Sequence, residues 1–143
     1  MARSALRSCC PEPARAASIG VSLTERYHAR RIQFVTGHGA DGALPTDLDW
    51  ASIADRSATT VVYMPRKTLG QLVANAIAAG LDPATPARAI ASATRPDQAE
   101  VSGSVAEIPN LAAGLPAGAP VTVLIGWAMR EAAAVAPREA LAS

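Results

Sequence analysis

With 143 residues, half of them hydrophobic, the chain is long enough for one domain with a real core. A formal net charge of +1 offers no general case for nucleic acid or an anionic membrane as partner, and no apolar run approaches the ~18 residues of a membrane span. The two cysteines, Cys9 and Cys10, are adjacent, which fits neither zinc-ligand spacing nor an easy mutual disulfide and is compatible with a reducing compartment.

Aromatic residues are only 3% of the chain, so the core must rest on Val, Ile and Leu in strands and on Ala-rich helix faces. Residues 1–19 differ in character from the rest of the chain: Arg3, Arg7 and Arg15 face a single acid, Glu12, and Pro11 and Pro13 interrupt any helix. There is no apolar stretch of the length a secretory signal needs. The segment reads as a poorly packed arm or one used between chains, with an organellar transit peptide as the alternative. Val21–Arg26 reads as a loop and Arg31–Thr36 as a strand, with Phe34, the sole phenylalanine, expected in the core. Arg26, His28, Arg30, Arg31 and His38 form a basic cluster that suits either a polycarboxylate ligand or a solvated face.

Gly37-His38-Gly39-Ala40-Asp41-Gly42 fits G-x-G-x-x-G and follows a strand. A dinucleotide loop needs a helix opening inside it, whereas Ala43–Thr46 intervenes here and the next helix is expected from Asp47 or Asp49 through Trp50 and Ile53. The glycines therefore read as a surface loop. Thr59–Met64 is a run of β-branched and aromatic residues, as in a strand buried on both faces, and Pro65 stops it. Leu69, Leu72, Val73, Ala76 and Ile77 then recur at helical spacing, with Thr68 as N-cap and Gly80 as C′ stop. This βα unit puts Met64 and Pro65 at the carboxyl end of a strand, where open α/β sheets hold ligands; an ordinary βα turn is the alternative.

Further strands are expected over Arg88–Thr94, Ala99–Gly103 and Val121–Gly126, a helix over 104–113 despite Pro109, and a helical tail from Ala128. The chain has no internal repeat, no metal-ligand spacing and no G-x-S-x-G nucleophile elbow.

Gly20-Val21-Ser22-Leu23-Thr24-Glu25-Arg26, Phe34-Val35-Thr36-Gly37-His38, Leu48-Asp49-Trp50, Val62-Tyr63-Met64, Ala79-Gly80-Leu81, Ala93–Gln98 and Val123–Gly126 occur in one order. From about Gly20 to Ile125 that series resembles the C-terminal half of uroporphyrinogen-III C-methyltransferases, the tetrapyrrole methylases of the sirohaem and cobalamin pathways. The resemblance implies a mixed, mostly buried α/β sheet with flanking helices, spanning residues 20–136, with a short tail over 137–143. It also implies a cytoplasmic homodimer in which S-adenosylmethionine methylates two carbons of uroporphyrinogen III, giving precorrin-2. The family's tyrosine–methionine pair falls on Tyr63 and Met64, the latter lining the cofactor pocket, and the small residue of its asparagine–glycine/alanine–threonine turn falls on Ala93. Its substrate-facing arginine falls on Arg26, which fits pairing with acetate or propionate groups. Glu25, Pro65 and Ser92 depart from the His, Gly and Asn common there, and the family's N-terminal domain has no counterpart in these residues. The expected role is therefore the C-terminal part of such a methyltransferase, inactive alone, or alternatively a non-catalytic binding or dimerisation module that keeps the half-fold.

Overall fold

In a computed structural model of the chain, the structure describes residues 23–24, 29–63 and 65–130. Expectations placed on the arm 1–19, Arg26, Met64 and the tail beyond 130 lie outside these residues. The elements run β1 (Arg31–Thr36), α1 (Trp50–Ile53), β2 (Ala58–Tyr63), α2 (Leu69–Ala78), β3 (Pro86–Ala91), β4 (Ala99–Ser104), α3 (Ile108–Ala113) and β5 (Val121–Ile125), ending in a 3-10 turn over Trp127–Met129.

The strands form one mixed sheet in the order β1-β2-β5-β3-β4. The β1–β2 pair is parallel, with Phe34 opposite Val61; β2–β5, β5–β3 and β3–β4 are antiparallel. Strands β1, β2 and β3 therefore point the same way and share one carboxyl edge. The last strand in sequence, β5, holds the centre.

Strand periodicity divides the sheet's side chains between two cores. Val62, Val123, Ile125 and the small Ala87, Ala89 and Ala91 face Leu69, Leu72, Val73 and Ala76 of α2 and Ile108 and Ala112 of α3. The opposite face carries Val61, Ile90 and Leu124, covered by Leu23, Ala29, Ala128 and Met129, with Ile32, Tyr63 and Ala93 packed at its margin. β2 thus shows the fully buried pattern expected of its sequence, even though one of its two neighbours is antiparallel.

The helix ends follow local chemistry. The Asp49 carboxylate caps α1, accepting from the Ser52 amide at 3.2 Å and its hydroxyl at 2.7 Å; these bonds, the hydroxyl first, hold the Asp49 carboxyl below the usual range. α2 ends in a Schellman motif: Leu81 N–H donates to the Ala76 carbonyl and Gly80 N–H to that of Ile77, with Gly80 at φ +116°. Arg31 pairs with Asp55 at 2.9 Å, and Asp55 is held below the usual carboxylate range, first by the Ser57 amide.

Several expectations need correction. Phe34 is 52% exposed, not core, because β1 is an edge strand, and among the described residues its ring stacks on Tyr63 at 6.4 Å between centroids. β3 starts at Pro86, since a proline can open a strand, and ends at Ala91, since Ser92 turns to φ +52°. α3 starts at Ile108 rather than Ser104, because Ser104 pairs with Pro86 in β4; Pro109 then sits in the first helical turn, where its missing N–H costs nothing. Thr68 occupies the N-cap position of α2 but makes no side-chain cap; its hydroxyl donates instead to the Gly37 carbonyl.

Candidate functional site

Four loops meet at the shared carboxyl edge. They follow β1 (37–49), β2 (65–68) and β3 (92–98), or lead into β5 (114–120). They are tied to one another. Gly37 N–H donates to the Tyr63 carbonyl at 2.8 Å, Ser92 N–H to that of Pro120 at 3.0 Å, and the Arg66 guanidinium to that of Pro116. Gly37 has to be glycine: a Cβ there would stand 2.5 Å from Pro65 Cα. The glycine pattern after β1 therefore serves a close approach of two loops. No helix opens within it, as the sequence indicated.

Two surfaces flank this edge. On one side of the sheet Tyr63 and Ala93, distant in the chain, both pack at the margin of the Val61–Ile90–Leu124 core. Their strands flank β5 on either side, where Tyr63 and Ile90 both stand opposite Thr122. The Ala93 turn is conformationally strained. Ser92 and Thr94 adopt φ +52° and +68°, the left-handed region that asparagine and glycine tolerate and a β-branched residue does not. Strain of this kind costs of order 1–3 kcal/mol per residue and collects at functional sites. Replacing the exposed Thr94 by glycine should raise stability by about 0.5–1 kcal/mol, the relief exceeding glycine's entropic cost. Thermal unfolding checks this; a fall in Tm would mean the turn is not strained at that residue.

On the other side a cleft of about 360 Å³ opens between His38, Gly42, Arg66, Lys67, Thr68 and Pro120. Sequence alone does not single out Arg66 and Lys67. Their one signal is positional, because they come directly after Pro65 in the turn that ends β2. Of the basic cluster read from the sequence, Arg26 and His28 lie outside the described residues, and the other three are not one patch. Arg30 and Arg31 lie at the amino end of β1, roughly 20 Å from His38 by strand rise, and Arg31 is engaged with Asp55. Among these three, His38 joins the cleft. Among the described residues, no group of three or more His, Cys, Asp or Glu could hold a metal, and no helix is long and apolar enough to cross a membrane.

The sequence profile of Tetrapyrrole (Corrin/Porphyrin) Methylases matches residues 13–109. The chain belongs to the tetrapyrrole methylase family. It is 38% identical over 123 residues to a siroheme synthase of Gluconacetobacter diazotrophicus, covering 85% of this chain and 26% of that protein. A solved uroporphyrin-III-C-methyltransferase from Thermus thermophilus superposes with a TM-score of 0.65 at 29% identity, covering 85% of this chain and 49% of that one. A second Thermus thermophilus structure, of uroporphyrin-III C-methyl transferase complexed with S-adenyl homocysteine, shares the fold with a TM-score of 0.65 at 24% identity, covering 79% of this chain and 49% of that one. The mixed sheet is thus the family's, and the chain spans about a quarter to a half of the length of these proteins.

Proposed function

We propose that this chain is the C-terminal part of an S-adenosylmethionine-dependent uroporphyrinogen-III C-methyltransferase, acting in the cytoplasm as a homodimer on the way to sirohaem or cobalamin. The observation that supports the reading is that Tyr63, at the end of β2, and Ala93, in the loop after β3, pack against one core on the same face of the sheet, in a chain of the methylase family. Ala93 presents only a methyl group beside a turn held by its own backbone bonds, a small surface of the kind that suits a flat ring. These residues fit the adenosyl part of the cofactor, and Met64 follows Tyr63 directly. When bound, S-adenosylmethionine supplies an electrophilic methyl group, and two transfers to ring carbons give precorrin-2. The chain's own residues bind and orient: Tyr63, Met64 and Ala93 hold the donor, and Arg26 pairs with a substrate carboxylate. A Thermus thermophilus enzyme of the same fold, solved with S-adenyl homocysteine, supports the choice of cofactor.

Holding donor and acceptor in line is worth roughly 7–11 kcal/mol of barrier. A domain covering about half of the Thermus methyltransferase supplies one wall of such a site. These 143 residues alone should therefore bind S-adenosylhomocysteine weakly and give no detectable turnover. The assay is transfer of labelled methyl groups to uroporphyrinogen III under anaerobic conditions, with calorimetric titration of S-adenosylhomocysteine alongside. Turnover by the chain alone would overturn the need for a second wall. The departures at Glu25, Pro65 and Ser92 favour a second reading, a non-catalytic binding or dimerisation module; a dimer that takes up no S-adenosylhomocysteine would decide for it.

A further inference from the structure

We propose that the cleft between His38, Arg66 and Lys67 is a subsite for carboxylate arms of the tetrapyrrole substrate, an inference that rests on the methyltransferase reading. At about 360 Å³ it lies near the lower end of small-molecule sites, so it takes the periphery of a macrocycle and not the whole ring. Its lining brings an imidazole, a guanidinium and an ammonium group together, and among the described residues no acid lines it. The carboxylate of Asp41, in the adjoining loop, is turned back to accept from the Ala43 amide at 3.1 Å.

The cations are also held in place. Arg66 is anchored by its bond to the Pro116 carbonyl, so part of its rotamer entropy is spent before any ligand arrives. Its remaining N–H groups keep the fork that suits a carboxylate. The turn bearing Arg66 and Lys67 is fixed against the His38 loop by the Gly37–Pro65 contact and by the Thr68 hydroxyl on the Gly37 carbonyl. A carboxylate could also come from the amino-acid end of the cofactor. That end carries its own ammonium group, which would want an acceptor, and the lining offers cations instead. The geometry favours the polyanionic substrate.

The test is a fluorescence titration of the chain with uroporphyrin III, the oxidised octacarboxylate, and with coproporphyrin III, the same ring as a tetracarboxylate, each at several salt concentrations. S-adenosylhomocysteine is titrated in parallel. In the double variant Arg66→Gln, Lys67→Gln, uroporphyrin binding should weaken about ten-fold or more, with a flatter salt dependence, while S-adenosylhomocysteine affinity holds. Coproporphyrin should lose less. The single variant Lys67→Glu, at an exposed position, gives the same readout if the double variant folds poorly, as judged by circular dichroism. Uroporphyrin affinity unchanged by either variant overturns the subsite and leaves the methyltransferase reading standing. Loss of S-adenosylhomocysteine binding with uroporphyrin unaffected assigns the cleft to the cofactor and also overturns it. If neither ligand binds the unaltered chain, the methyltransferase reading fails and the subsite with it.

Discussion

Replacing Glu100 by alanine is expected to destabilise the domain by about 3 kcal/mol, whereas replacing its partner Arg88 by methionine should cost little or nothing. Arg88 sits on the inner strand β3 with only 3% of its surface exposed, and its Nη1 donates to Glu100 Oε2 at 2.9 Å. Its Nε is buried with no hydrogen-bond partner among the described residues. Removing Glu100 strands a guanidinium that is already under-satisfied. Breaking a fully buried pair this way costs about 3–5 kcal/mol, and the lower end applies because the Glu100 side chain is 25% exposed. Removing Arg88 instead takes away both the charge and the unpaired donor, and leaves a carboxylate with access to water. Methionine keeps much of the volume, the exchange that has been neutral or stabilising at other buried pairs. Denaturant unfolding of the two variants checks the asymmetry. Equal losses would mean that Arg88's aliphatic packing, and not its charge, is what the core depends on.

Gly37→Ala is expected to cost toward the upper end of the ~1–3 kcal/mol typical of overpacking. The new Cβ would stand 2.5 Å from Pro65 Cα and 2.7 Å from Pro65 Cβ. These are backbone and ring atoms, which cannot swing aside as the end of a long side chain can. Gly37 also holds two bonds that join the β1 and β2 loops, its N–H to Tyr63 and its carbonyl from Thr68. Pro65→Gly alone should lose roughly 0.4–1 kcal/mol by freeing the unfolded chain. The double variant should be less damaged than the sum, since the turn can then retreat from the new methyl. Strict additivity in a double-mutant cycle would show that the contact does not set the loop spacing.

Much of the architecture was legible because local and tertiary preferences agree. Thr59–Tyr63 combines β propensity with burial on both sides, and the α2 stripe ends at a glycine whose positive φ makes the C-terminal motif. Legibility fails where a neighbour decides. Phe34 looks like core until β1 proves to be an edge strand. Arg88 alternates with alanines as a solvent-facing residue would, yet packing on both sides buries it beside Glu100. At the candidate site, the placing of Tyr63 and Ala93 on one face of the sheet follows from the orientation of β2 and β3 about β5, which no local window of sequence contains. The cleft residues Arg66 and Lys67 read as ordinary turn cations until the β1 loop brings His38 opposite them.

The central position of β5 also bears on how the chain acquires this form during synthesis. The parallel β1–β2 pair and the β3–β4 hairpin are complete in sequence by Ser104, but neither is bonded to the other; each waits on Val121–Ile125 for the strand between them. Until those residues leave the ribosome, β2 and β3 both present an open edge to any other extended segment nearby. Closure then needs pairing between segments far apart in the chain, the kind of contact that slows folding. The nascent domain passes through an interval in which its hydrophobic strands are made but unsheltered, and a chaperone that shields strand edges would have its largest effect just before Val121 emerges.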